Sequence, residues 1–121
     1  MAETHTVDPY DAAILPEVIV RYLREHGDGG DWRAVLQTFS ADGRVTDEGI
    51  RYEGTDRIRD WLTKAASEYT YATTLIGQRQ EGPDQWVVSA RLQGNFPGGT
   101  ADLRYRFTVR EGEIAELTIA P

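Results

Sequence analysis

The chain has 121 residues, of which 40% are hydrophobic and 27% are charged, a balance typical of one compact soluble domain. It contains no cysteine, which excludes a disulfide scaffold, a thiolate metal site and a cysteine nucleophile. Its 20 acidic and 13 basic residues give a net charge of −7, which would repel nucleic acid and anionic membranes. The polar start is unlike a signal peptide and no apolar run is long enough to span a bilayer, so we expect a cytoplasmic protein.

The first half of the chain predicts three amphipathic helices, because apolar side chains recur there at helical spacing. Asp31 can cap the second helix, and Thr55 can cap the third. Between these two helices, residues 44–53 are predicted as two short strands or a strand and its return. The helical faces are Leu15, Val18, Ile19, Tyr22, Leu23 and His26 in the first helix, Trp32, Val35, Leu36 and Phe39 in the second, and Ile58, Trp61, Leu62, Ala65 and Tyr69 in the third.

The second half predicts an antiparallel meander. Four runs with a period of two, about 71–80, 86–96, 101–110 and 113–119, are separated by turn sequences rich in Gly, Pro and Asp. In the run 86–96 both alternating sets contain apolar residues, so periodicity does not decide which set faces inward. We therefore predict an N-terminal extension of residues 1–14 and a single α+β domain over 15–121, with the three helices packed on the concave face of a curved sheet. Such a fold leaves a hollow that suits a small ligand.

Several motifs, in this order, resemble the SnoaL-like branch of the nuclear transport factor 2-like superfamily. They are Arg21–Tyr22, Gly30–Asp31–Trp32, Phe39–Ser40–Ala41–Asp42, Val45–Thr46–Asp47–Glu48–Gly49, Tyr52–Glu53–Gly54, Ile58–Arg59–Asp60–Trp61, Gly94–Asn95–Phe96–Pro97–Gly98, Leu103–Arg104–Tyr105–Arg106–Phe107 and Leu117–Thr118–Ile119–Ala120–Pro121. The resemblance implies a cone-shaped α+β fold with a curved antiparallel sheet, often dimeric through its convex face. Members of this superfamily catalyse isomerisation, cyclisation, dehydration or epoxide hydrolysis, or only bind ligands.

The resemblance implies a catalytic pair. Asp47 matches the general base of the superfamily's ketosteroid isomerases, and Tyr22 matches the tyrosine of their oxyanion hole. Strand alternation agrees, since Val45 should face the core and Asp47 points to the same side. Leu103 stands where those isomerases have a second acidic donor, so steroid isomerisation itself is not expected. The alternatives are that Asp47 belongs to a hairpin turn and that Tyr22 is a core aromatic residue.

Five further residues are candidate substrate contacts. Arg91 matches the arginine of limonene epoxide hydrolase-like members, but the acids of their catalytic relay are missing, so it is either a contact or a solvated arginine. Asn95 can direct a donor into the pocket or tie the backbone of its loop. Trp61, Phe96 and Tyr105 are large aromatic residues that either line the cavity or belong to the core.

No metal or cofactor is expected, because the sequence has neither clustered ligands nor a phosphate-binding loop. His5 lies in a predicted disordered start, and His26 ends the first helix, where an imidazolium would suit the helix dipole, so no cavity histidine is predicted. The sequence thus predicts a protein that binds a small hydrophobic molecule. It is either an acid–base enzyme acting on a polyketide- or terpenoid-like carbonyl compound, or a non-catalytic ligand-binding or dimerisation module. A homodimer is expected, because an apolar convex sheet face would need cover.

Overall fold

One curved sheet organises the chain, with helices packed on one of its faces. The structure is a computed structural model that describes residues 8–26, 30–68 and 70–121, without the side chains of 65–68. The elements are β1 (Asp8–Pro9), α1 (Glu17–His26), α2 (Trp32–Leu36), β2 (Phe39–Asp47), β3 (Ile50–Glu53), α3 (Thr55–Glu68), β4 (Tyr71–Gly82), β5 (Gln85–Gly94), β6 (Thr100–Arg110) and β7 (Glu113–Ala120). Within the described residues the strands form one sheet in the order β1-β4-β5-β6-β7-β2-β3. The predicted α+β cone is confirmed.

The sheet is mixed, not wholly antiparallel as predicted. Strand β2 runs parallel to β7, whereas each other pair of neighbouring strands is antiparallel. The second helix is also shorter than predicted, because Phe39 begins β2 instead of closing α2. The Thr38 hydroxyl donates to Val35 O at 2.6 Å, and Thr38 O accepts a hydrogen bond from Ile114 N at 2.8 Å. The chain thus leaves α2 at Thr38 and joins β7.

The inward face of the sheet forms the core with the helices. Strand pairing aligns Val88 with Tyr105, Ala90 with Leu103 and Leu92 with Ala101, which decides the face that periodicity left open in the run 86–96. The core is closed by apolar side chains of all three helices and of β2, β5, β6 and β7, among them Ile19, Tyr22, Val35, Val45, Ile58, Leu62, Val88, Phe107, Ile114 and Leu117.

The outward face of the sheet is mainly polar. Ion pairs join Arg44 to Glu116 at 3.5 Å, Arg106 to Glu81 at 3.2 Å, and Arg91 to its partner on β6 at 2.8 Å. The large apolar patch that motivated the expected homodimer is not found among the outward side chains of the described strands. The homodimer stays a prediction, and its interface on this face would be polar.

The N-terminal residues join the sheet from Asp8 onwards. Strand β1 pairs with β4, and Gln78 Oε1 accepts a hydrogen bond from Asp11 N at 2.8 Å. Residues 1–7 with His5, most of the predicted loop 27–30, and Tyr69 lie outside the described residues. Within the described chain, each helix is too short or too polar to cross a bilayer.

Gly94 lets β5 approach the start of β4 closely, and we predict that Gly94→Ala is destabilising. An added Cβ would lie 2.2 Å from Thr70 O and 2.6 Å from Tyr71 Cβ, so the backbone would have to move. We expect the free energy of unfolding in urea to fall by about 1–3 kcal/mol. Gly82→Ala is the matched control, since its nearest contact would be an ordinary 3.5 Å. Equal effects of the two substitutions would contradict this packing.

Candidate active site

A cavity of about 420 Å³ lies between the inward face of the sheet and the helices α1 and α3. Its described lining combines aromatic and aliphatic side chains with two carboxylates, and the cationic side chains Lys and Arg are absent from it. The lining residues are His26, Asp47, Glu48, Trp61, Tyr71, Leu92, Phe96, Pro97, Ala101, Leu103, Tyr105 and Ile119.

Asp47 lines this cavity and is held by Trp61. It ends β2, pairs with Ile50 across the hairpin and with Ile119 of β7, and faces the same side as the fully buried Val45. The Trp61 indole Nε1 donates a hydrogen bond to Asp47 Oδ2 at 3.0 Å. Trp61 is itself buried, with 6% of the residue exposed, so α3 presents this donor at a fixed place. Asp47 is thus at once a hairpin residue and a cavity carboxylate.

Two tyrosines contribute to this part of the structure, one in the cavity wall and one behind it. Tyr105 lines the cavity, and burial, Tyr71 and Asp47 together raise the pKa of its phenol well above the usual range, so the hydroxyl remains a donor at neutral pH. Tyr22 lies behind the lining, fully buried, with its ring 6.3 Å from that of Tyr105 at 61°. Burial, then Tyr105, Tyr71 and Asp47, raise the pKa of Tyr22. The ring of Tyr22 thus packs against the cavity wall without belonging to the lining.

The Tyr22 hydroxyl has no hydrogen-bond partner among the described residues. A buried hydroxyl in that condition is unusual and costs free energy. Tyr22 is therefore a core aromatic residue that packs against the cavity wall, and its hydroxyl is left unpaired among the described residues.

His26 lines the cavity as well, which corrects the expectation that no histidine would. Its imidazole stacks between the rings of Tyr22, at 4.9 Å and 12°, and Trp61, at 5.8 Å and 18°. Burial lowers the pKa of His26 to about 4, so the ring is neutral at neutral pH and does not bring a positive charge to the helix end. The sequence does indicate this placement, because His26 follows Tyr22 by one helical turn on the same apolar stripe.

The remaining predicted contacts divide between the cavity and the surface. Phe96 lines the cavity, with its ring 6.5 Å from that of Tyr71 at 76°. Asn95 lies outside the lining, and its Oδ1 accepts a hydrogen bond from Thr70 N at 2.9 Å, so it ties the loop. Arg91 is on the outward face of β5, where it forms hydrogen bonds of 2.8 and 3.1 Å to Asp102. These two placements correct the expectation of a cavity contact, and strand alternation explains that of Arg91.

Sequence reasoning missed Glu48, Tyr71 and Leu103 as lining residues. Glu48 would point away from Asp47 in a regular strand, but its φ of 53° places it in a left-handed turn and lets its side chain line the same cavity. Leu103 occupies the position of the missing acidic donor, so the cavity wall is apolar there.

The SnoaL-like domain family matches residues 19–117, and the chain belongs to this family. A crystal structure of a Sinorhizobium meliloti protein assigned as a polyketide cyclase is 32% identical, covers 92% of this chain and 100% of that chain, and superimposes with a TM-score of 0.84. A Jannaschia protein assigned as a SnoaL-like polyketide cyclase is 24% identical, with coverage of 86% and 82% and a TM-score of 0.71.

A third solved structure shares the fold at lower identity. It is a hypothetical protein of Catenulispora acidiphila with a ketosteroid isomerase-like fold, in complex with trimethylamine, which is 18% identical with coverage of 88% and 85% and a TM-score of 0.76. No curated protein matches the chain.

The stacked His26 predicts an acid-sensitive fold. Its pKa is about 4 when folded and about 6.5 when unfolded, so between these values the unfolded state binds more protons. The free energy of unfolding should therefore fall as the pH drops below about 6.5, by up to about 3 kcal/mol at pH 4.

The measurement is urea unfolding across this pH range for the wild type and for His26→Phe, which keeps an aromatic ring in the stack. The wild type should lose about 2–3 kcal/mol more than the variant, because other titrating groups cancel in the difference. Parallel pH profiles would show that His26 is not held neutral in the folded state.

Proposed function

We propose that the protein is a cofactor-independent acid–base enzyme that acts on a hydrophobic carbonyl compound of polyketide- or terpenoid-like type. The observation that supports this most strongly is the Asp47 carboxylate in the cavity wall, oriented by the Trp61 indole at 3.0 Å and accompanied by the phenol of Tyr105. A carboxylate base and a neutral hydrogen-bond donor at one cavity are the two groups that enolisation requires.

In the proposed reaction Asp47 takes a proton from the carbon next to the substrate carbonyl. The C–H electron pair becomes the enolate π bond, and the negative charge that develops on the oxygen is stabilised by the hydroxyl of Tyr105. The protonated Asp47 then returns the proton to a second carbon, which gives an isomer. Alternatively the enolate carbon attacks a second carbonyl group, and Asp47 protonates the resulting alkoxide, which gives a cyclised product.

The surrounding residues have supporting parts in this proposal. Trp61 is a positioning residue, because it fixes one oxygen of Asp47 and leaves the other for the substrate. Tyr22 is a positioning residue as well, since it lies outside the lining and its ring packs against Tyr105. Phe96 and the aliphatic part of the lining would contact the hydrophobic body of the substrate.

The second candidate function is binding without catalysis. It is favoured by Leu103, which lines the cavity at the position where a second acidic donor would complete an oxyanion hole. A binding module would use the same cavity, but it would not exchange substrate protons.

A hydrogen-exchange assay separates the two functions and tests the role of Asp47. β-Tetralone, a hydrophobic ketone with acidic α-protons, is incubated with the protein in D₂O, and loss of the α-proton signals is followed by NMR. We expect catalysed exchange in the wild type, and a loss of about 10²–10⁴-fold in rate for Asp47→Asn.

Asp60→Asn is the matched control, because Asp60 is a mostly exposed carboxylate on α3, next to Trp61 in sequence but outside the cavity lining. It should exchange the ketone protons at the wild-type rate. Exchange that survives Asp47→Asn unchanged would overturn the proposed base, and no catalysed exchange in the wild type would favour the binding module.

A further inference from the structure

The charge around the cavity is one-sided. The two charged residues of the described lining, Asp47 and Glu48, are both acidic, and we call them the acidic edge. The neighbouring cation Arg51 lies on the outward side of β3, where it pairs with Glu53 at 3.2 Å. Asp47 receives its hydrogen bond from the neutral indole of Trp61. The lining thus holds negative charge that the described residues of the cavity do not compensate.

Glu48 belongs to the cavity because of its turn. Glu48 and Gly49 have φ values of 53° and 77° and form a two-residue hairpin turn. In this turn the side chains no longer alternate between the two faces as they do in a strand. Glu111 and Gly112 form the same turn with φ values of 53° and 78°, and Glu111, which is exposed like Glu48, lies outside the lining. The described residues therefore include two glutamates in one backbone conformation, of which one lines the cavity.

Aromatic rings form much of the remaining wall. Tyr71 and Phe96 meet edge to face with centroids 6.5 Å apart, and Tyr105 belongs to the same lining. Aromatic faces attract organic cations, and alkylammonium groups bind where such rings and carboxylates surround them. An anion would be repelled by the acidic edge, and a neutral ligand would remove water from Asp47 without supplying a counter-charge.

One unpaired polar group lies next to the lining. The Tyr22 hydroxyl is fully buried and has no hydrogen-bond partner among the described residues, and the ring that carries it packs against the lining residues His26 and Tyr105.

We propose that the cavity binds a compound carrying an alkylammonium group, with the nitrogen at the acidic edge and the apolar part against Tyr71, Phe96 and Tyr105. This rests on the proposed function for the location of the site and adds the charge of its substrate. Glu48, at the exposed end of the edge, pairs with the nitrogen, while Asp47 faces the carbon next to the carbonyl. Glu48 is then a specificity-determining residue.

The test compares choline with neohexyl alcohol, an uncharged molecule of the same shape in which carbon replaces nitrogen. Binding is measured by NMR titration of the full chain, following the indole N–H of Trp61, which is assigned by its loss in Trp61→Phe. We expect choline to bind at least about tenfold more tightly than neohexyl alcohol, and added salt to weaken the binding of choline alone.

Two matched variants test whether the charge of Glu48 contributes to choline binding. Glu48→Gln should weaken choline binding by about three- to tenfold, without changing the affinity for neohexyl alcohol. Glu111→Gln removes the same charge from the same turn conformation, so it should leave choline binding within about twofold of the wild type.

Equal affinity for the two probes, no binding of choline, or equal effects of the two glutamine variants would overturn the proposal. These outcomes are independent of the proposed reaction, because neither probe has an enolisable carbonyl group. If ketone exchange fails while choline is still preferred, the proposed enzyme activity is overturned and the cation site is supported. If ketone exchange succeeds while choline is not preferred, the cation site is overturned and the proposed activity is supported.

Discussion

The hydrogen bond from the Trp61 indole to Asp47 is the interaction on which the rest of the site depends. A carboxylate placed against apolar walls loses hydration, so it must be hydrogen-bonded or paired. An arginine or lysine would meet that need by cancelling the charge, whereas an indole supplies one donor and leaves the charge in place. The bond also joins α3 to the β2–β3 hairpin, so the packing of a helix fixes the direction of the carboxylate.

The ring stack behind this bond shows how the fold supports it. Tyr22 and His26 on α1 and Trp61 on α3 lie in nearly parallel planes, so α1 limits the positions that the indole can take. Burial keeps His26 neutral, which suits a ring packed between two others. Asp47 is thus supported by residues of two helices and by the sheet, and its neighbours Tyr105 and Glu48 come from other strands and turns of the same wall.

Much of the fold could be predicted from the sequence, because helical and strand periods report burial directly. The three helices and the meander follow from such patterns, the family follows from the resemblance of the motifs, and both were confirmed. The parallel pairing of β2 with β7 could not be predicted, since it depends on where the chain crosses the sheet after α2. The end of α2 was placed too late, because Phe39 satisfies a helical period and is nevertheless buried as the first residue of a strand.

The candidate site could be predicted only in part, and each error of the prediction has a local structural cause. Asp47 was singled out because it matches the catalytic base of related isomerases and shares the inward side of Val45. Trp61, Phe96 and Tyr105 were singled out as large aromatic residues, and the structure places all four in the lining. Arg91 was misplaced because both alternating sets of β5 contain apolar residues, and Val87 is buried although it does not belong to the core cluster. The place of Glu48 in the lining depends on a turn conformation, and the hydrogen bond from Trp61 to Asp47 depends on how α3 packs against the sheet. The pattern of residues along the sequence contains neither kind of information.

The most direct test of this account is a double-mutant cycle between Trp61→Phe and Asp47→Ala, measured as the free energy of unfolding in urea. A hydrogen bond to a partly buried carboxylate predicts a coupling energy of about 1–3 kcal/mol between the two substitutions. Trp86→Phe, which removes an indole from β5, should be additive with Asp47→Ala to within about 0.5 kcal/mol. Additivity of the Trp61 and Asp47 substitutions would contradict the claim that the indole holds the carboxylate.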